Sequence, residues 1–246
     1  MILTSHQPDF LPYMGFFYKV ARSDVLVLSD DVQFSKSGMH NWNRIKTPAG
    51  AQKLTIPVHA HHDTPLCQIE IADPGHGIGR AVKTIEQNYR KASHYKEGVE
   101  LLEIMQFFSG PGNSWLTEMN ENLILHILDR FSIKPLAILR ASALGIQGHK
   151  DERIFQMCEE TGADTYLSGR GAANYHEPYE YMLHGIDLIY TDYEPVQYQQ
   201  LYGEFIPNLS VLDYIFNCGY ELPRGGFDGE QGCKAHGDLQ GPERPL

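Results

Sequence analysis

Met1-Ile2-Leu3-Thr4-Ser5-His6-Gln7-Pro8-Asp9-Phe10-Leu11-Pro12-Tyr13-Met14-Gly15-Phe16-Phe17-Tyr18-Lys19, with Asp24-Val25-Leu26-Val27-Leu28-Ser29-Asp30 close behind, decides the fold. Ile2-Leu3-Thr4 reads as a first strand and the segment from Phe10 to Arg22 as the helical crossover. The second apolar run, β-branched and bounded by polar residues, has the pattern of a buried parallel strand. A Rossmann-like β-α-β start follows. It places His6 where the first strand ends, and Lys19 about three helical turns beyond at ~3.6 residues per turn. Open α/β sheets hold their ligands at such strand ends. His6 is therefore the first catalytic candidate, with Gln7 beside it as a substrate contact.

Working outward, strands and helices alternate. Lys53-Leu54-Thr55-Ile56-Pro57-Val58 reads as a strand at an edge, since Pro57 cannot donate to a ladder. Val32 to Gly50, rich in turn signals, reads as an irregular loop or hairpin. Helices are expected over Gly79 to Lys91, from an N-cap at Asn113 or Ser114 through Leu116 to Phe131, over Asp151 to Glu160, and over Ser210 to Asn217. Gly162 is the expected left-handed cap of the third. Leu136 to Leu139, Asp164 to Ser168 and Ile186 to Tyr190 read as further strands. The fold class is α/β, with a mostly parallel sheet and additional helices. One domain is expected over residues 1–224. Residues 225–246, with six glycines and two prolines among polar residues, are expected to be a disordered tail.

Composition sets bounds on function. The 246 residues are 42% hydrophobic and 21% charged, as in an ordinary globular protein. A net charge of -11 argues against a nucleic-acid duplex as partner. No apolar run reaches the ~20 residues of a membrane-spanning helix, so membrane insertion is not expected. The four cysteines lack paired spacing, and a cytoplasmic location is expected.

Three groups could carry chemistry. Asp30 and Asp31 fall at the carboxyl end of the second strand, on the same sheet edge as His6. With Lys36, His40, Asn43, Arg44 and Lys46 they form a loop of mixed charge. Paired carboxylates suit magnesium or a general base, whereas Lys36, Arg44 and Lys46 suit a phosphate or carboxylate. The second group is the strand end Ser168-Gly169-Arg170-Gly171 with Tyr175. There Ser168 is a donor, and Gly169 is expected to allow a positive φ or close ligand approach. The third, Tyr198 and Gln199 within a tyrosine- and amide-rich stretch, suits a sugar or nucleobase. His59, His61, His62 and Asp63 are read as solvated rather than as a metal site. No nucleophile elbow is present.

Several motifs together resemble the WbqC-like proteins. They are His6-Gln7-Pro8 with Leu11-Pro12-Tyr13-Met14-Gly15-Phe16-Phe17-Tyr18-Lys19, then Asp31-Val32-Gln33-Phe34-Ser35-Lys36, Asn43-Arg44-Ile45-Lys46 and Leu54-Thr55-Ile56-Pro57-Val58. Tyr166-Leu167-Ser168-Gly169, Gly185-Ile186, Tyr198-Gln199 and Leu209 to Gly219 complete the ordered set. The family tends to carry Trp near position 39 and Arg near 42, where this chain has Met39 and Trp42. The resemblance implies a bacterial protein whose relatives are often encoded among genes for O-antigen or other glycoconjugates.

The expected activity is acyl or aminoacyl transfer, forming an amide on an activated amino sugar or small metabolite. His6, Asp31 and Lys36 are the expected catalytic residues. Gln7, Asp30, Asn43, Arg44, Lys46, Ser168, Gly169, Tyr175, Tyr198 and Gln199 are the expected substrate contacts. ATP and magnesium are the cofactors such a reaction would call on, and a nucleotide sugar or other small molecule is the expected partner. The competing expectation is a non-catalytic sugar- or nucleotide-binding subunit. In either case His6, Lys36, Asp31 and Arg44 should converge on one pocket.

Overall fold

A computed structural model describes residues 1–223, apart from His62 and Pro111, together with Phe227 and residues 233–235. Strands β1 (Ile2–His6) and β2 (Val25–Leu28) flank helix α1 (Met14–Val20). A hairpin of β3 (Trp42–Thr47) and β4 (Gly50–Thr55) and a small pair, β5 (Val58–His59) and β6 (Glu70–Ile71), precede helices α2 (Pro74–Tyr89), α3 (Tyr95–Phe107) and α4 (Leu116–Arg130). Then come β7 (Ala137–Arg140), α5 (Ala141–Leu144), α6 (Asp151–Thr161), β8 (Thr165–Ser168), α7 (Pro178–Leu183), β9 (Asp187–Thr191), α8 (Val211–Cys218) and β10 (Cys233–Ala235).

The main sheet runs β10-β9-β8-β1-β2-β7. All its pairings are parallel except β10 on β9. The expected α/β class with a mostly parallel sheet is therefore what forms. Both faces of the sheet are covered, so its strands are apolar on both sides. On β2, Leu26 and Leu28 pack into a core with α1 to α4 and α8. Val25 and Val27 point the other way, into a second core with α6 and Tyr181. The chain winds from β1 through β2 to β7, then returns across α5 and α6 to lay β8 on the free side of β1. The winding direction reverses between β1 and β8, where a crevice opens beyond the strand ends.

Some boundaries differ from the sequence expectation. The strand expected over Lys53 to Val58 is broken at Ile56-Pro57 and belongs to the two small sheets rather than to an edge of the main one. Trp115, not Asn113 or Ser114, holds the N-cap position of α4, with no side-chain cap. Helix α3 has no counterpart in the sequence reading. Gly162, at a φ of 71°, does cap α6. Of the tail expected to be disordered, β10 is a strand antiparallel to β9. Phe227 lies against Tyr18, with ring centroids 5.4 Å apart. The rest of that range lies outside the described residues.

The crossover after β1 is not helical from Phe10 as expected, because Leu11 adopts a φ of 46°, an unfavourable conformation for a branched residue. Its surroundings impose it. The Asn43 amide donates to the carbonyls of Phe10 and Leu11 at 3.1 and 2.7 Å, and Ser210 Oγ donates to Leu11 at 2.8 Å. Asn120, fully buried in α4, donates to the carbonyls of Pro8 and His40, each at 2.7 Å. Asn120→Leu keeps the branched outline of the side chain and strands both carbonyls, at a cost of about 1–3 kcal/mol each. Urea denaturation should show that loss, while exposed Asn122→Leu on the same helix should shift stability by under about 0.5 kcal/mol. Equal effects would mean the loop holds itself.

Candidate active site

A cavity of about 310 Å³ lies at the reversal between β1 and β8, walled by Ser5, His6, Tyr13, Lys19, Ser168 and His176 among others. Two elements aim the polar groups. The end of β1 supplies His6, and α1, packed back against the strand, returns Lys19 to it. Gly15 allows this packing, since a Cβ there would come within 2.3 Å of the Tyr13 ring. Thr4 Oγ1 donates to the Leu167 carbonyl and Ser5 Oγ meets Tyr166 Oη, both at 2.8 Å, so the two strand ends are tied side by side.

The charges form a chain. Lys19 Nζ donates to the Ser5 carbonyl at 2.8 Å and lies 3.4 Å from His6 Nδ1. His6 Nε2 lies 3.4 Å from Asp9 Oδ2, and the other carboxylate oxygen is 2.9 Å from His40 Nδ1. A protonated Lys19 can only donate, so His6 Nδ1 accepts from it and Nε2 carries the proton toward Asp9. The His6 side chain is 28% exposed and lines the cavity. Burial lowers its pKa, and the neighbouring Lys19 lowers it further. Burial also brings the Lys19 ammonium down to about 8, against the pull of Asp9. For Asp9, burial pushes the carboxyl up, but hydrogen bonds from His40 and His6 outweigh it and leave it at about 2.

The sequence-derived candidates separate. His6, Ser168 and Gly169 share the cavity wall; Asp31, Lys36 and Arg44 do not, so the expected convergence on one pocket is absent from it. Lys36 is exposed on its loop. Asp31 pairs with Arg153 of α6 at 2.5 Å. Asp30, buried, accepts from the backbone N and Oγ of Ser142 at 2.9 and 2.6 Å. With both carboxylates committed to protein donors they do not fit a magnesium ion. Among the described residues no group of three or more His, Cys, Asp or Glu could hold a metal.

Lys46 is buried, and its ammonium is taken by Gln200 Oε1 and the carbonyls of Gly203 and Glu204. It clamps a loop rather than offering a charge to a ligand. Asn43 holds the backbone as described, and Arg44 reaches the Asn208 carbonyl at 3.4 Å. Tyr198 donates to buried Asp213 at 2.8 Å, while Gln199 is exposed and Gln7 half-buried. Gly169 has an ordinary φ of -74° with open space at its Cβ, so the expected positive φ is not there. Tyr175 lines a larger, open groove of about 1190 Å³ along α6 and α7. That groove has a mixed lining of carboxylates, histidines and apolar side chains, whereas the smaller cavity at the sheet reversal brings a lysine, two histidines and two serines to one wall.

Sequence reasoning passed over Asp9, His176 and Asp151, and noted the spacing of Lys19 without giving it a role. Lys19 and Asp9 stood in the opening motif, at helical distance from His6. The contact between Ser168 and His176, 2.9 Å, spans only eight residues but requires the 3-10 turn Arg170–Tyr175 to bring them together.

The model of the WbqC-like protein family matches residues 7–224. A protein of Mycobacterium tuberculosis (strain ATCC 25618 / H37Rv), named uncharacterized protein Rv1507c, is 30% identical over 222 residues, covering 88% of this chain and 94% of that protein. No solved structure matches. No helix among the described residues is long and apolar enough to cross a membrane.

The depressed Lys19 value has a sign that can be measured. Between about 8 and the ordinary ~10.4, the unfolded chain keeps a proton on this lysine that the native chain has lost, so its contribution to stability rises with pH across that window. Asp9 has the same sign in a lower window: its contribution is present above ~3.9 and is lost as pH falls through about 2. Carbon-13 NMR of the lysine side chains should show one signal titrating near 8 that vanishes in Lys19→Met. A set titrating wholly near 10.4 would contradict this electrostatic account.

Proposed function

Because the chain belongs to the WbqC-like protein family, we propose that it is a biosynthetic enzyme joining an acyl or aminoacyl group, through an amide bond, to the amine of an activated amino sugar or small metabolite. The observation that carries this reading is the cavity at the sheet reversal, where a lysine brought down to about 8 stands beside a histidine and a serine. Amide formation needs an amine that has lost its proton, and a base works best when its pKa is near the operating pH. Lys19 supplies that base, in hydrogen-bond contact with His6, and Asp9 fixes the His6 ring. Tyr13 and Tyr166 offer apolar faces with polar tips, which suit a sugar ring.

The test incubates the full chain with nucleotide-activated amino sugars and two kinds of donor, aminoacyl thioesters or free glycine with ATP and magnesium. Mass spectrometry should find an amide product in at least one arm. His6→Ala and Lys19→Met should each slow its formation by about 100-fold or more while keeping the melting temperature within a few degrees. Thermal stabilisation by a nucleotide sugar without turnover in any arm would sink the enzymatic reading in favour of a non-catalytic sugar-binding subunit.

A further inference from the structure

The cavity has a second set of reactive groups besides the Lys19 chain. Ser168, the last residue of β8, has its Oγ 2.9 Å from His176 Nε2. His176 Nδ1 in turn is 2.7 Å from Asp151 Oδ1, at the first residue of α6. A carboxylate only accepts hydrogen bonds, so Nδ1 carries the ring proton and the Nε2 lone pair faces the serine hydroxyl. Asp151 is itself held: Oδ2 accepts from the backbone of Glu177 at 2.9 Å and Oδ1 from Tyr181 Oη at 3.0 Å. The Asp31–Arg153 pair anchors the same helix to the end of β2. The His176 side chain is 7% exposed and Ser168 3%, yet both border the cavity that Lys19 and His6 border.

We infer that Ser168 is the nucleophile of a covalent acyl transfer, with His176 as its general base and Asp151 as the residue that positions His176. The inference rests on the acyl-transfer reading above and assigns its missing step. Ser168 Oγ attacks the carbonyl carbon of a thioester or oxygen-ester donor while its proton passes to His176 Nε2. The bond to the leaving group breaks, and His176 returns that proton to the departing thiol or alcohol. The acceptor amine, deprotonated with help from Lys19, then attacks the seryl ester. A C–N bond forms, the C–Oγ bond breaks, and Oγ regains a proton through His176. Acyl donor plus amine gives amide plus free thiol or alcohol, and no redox partner is needed. A serine-histidine contact serving only to pin the turn would carry no such reactivity.

A fluorophosphonate, which phosphonylates activated serines, is the direct probe of the full chain, read by intact mass and peptide mapping. One adduct is expected, on Ser168, and none in Ser168→Ala. His176→Gln should slow labelling by about 100-fold or more. Asp151→Asn should lower the labelling rate at saturating probe and leave the half-saturating concentration unchanged. Should His176→Gln fail to fold, Ser168→Ala in the amide assay decides: loss of product supports the inference and retained product overturns it. An unlabelled Ser168 in a chain that melts like the wild type, or labelling indifferent to a folded His176→Gln, also overturns it. Amide formation by Ser168→Ala removes the covalent step and leaves the acyl-transfer reading standing. A labelled Ser168 with no amide from any acceptor does the reverse.

Discussion

Five consecutive residues, Pro8 to Pro12, lie among apolar side chains with carbonyls that need donors. Everything at the proposed site depends on how those carbonyls are paired. Asn43 from β3, Asn120 from α4 and Ser210 before α8 reach in from three separate parts of the chain. An unpaired buried carbonyl is costly, so this arrangement is far more favourable than any nearby alternative. It holds Leu11 in a left-handed conformation and sets Asp9 between His6 and His40. The loop is thus positioned by the fold as a whole, and the site inherits that rigidity.

Electrostatics follow from this placement. Lys19 is nearly buried, and Asp9 is the acidic group that raises its pKa. Burial wins, and the ammonium is left easy to deprotonate. Asp9 goes the other way because two histidines donate to it. A base and a permanent anion are separated by one imidazole, which is an arrangement suited to moving a proton along a cavity wall. Ser168 and His176, which border the same cavity, come from β8 and the segment after the 3-10 turn, and Asp151 behind them comes from α6. The return of the chain from β7 to β8 brings the two sets of groups together.

The fold was legible because its signal is local. Apolar runs at Ile2, Val25, Thr165 and Asp187 are short and bounded by polar residues, and buried parallel strands leave that trace. The His6 end of β1 and the Ser168 end of β8 were identifiable for the same reason, since strand ends are where such sheets bind. The loop from Asp30 to Lys46 misled because charge in a sequence does not show what that charge will meet. Asp30 caps α5, Asp31 pairs with Arg153 and Lys46 holds carbonyls more than 150 residues away, partners that only the folded chain supplies. His176 was invisible for a related reason, because eight residues of turn geometry separate it from Ser168.

The most direct measurement is a crystal structure of the chain bound to a nucleotide-activated amino sugar that stabilises it thermally. The account predicts the amino sugar in the cavity between β1 and β8, with its amine within hydrogen-bond reach of Lys19 Nζ and the path from Ser168 Oγ to the amine unobstructed. A sugar seated instead in the groove along α6 and α7, or on the loop bearing Lys36 and Arg44, would contradict it.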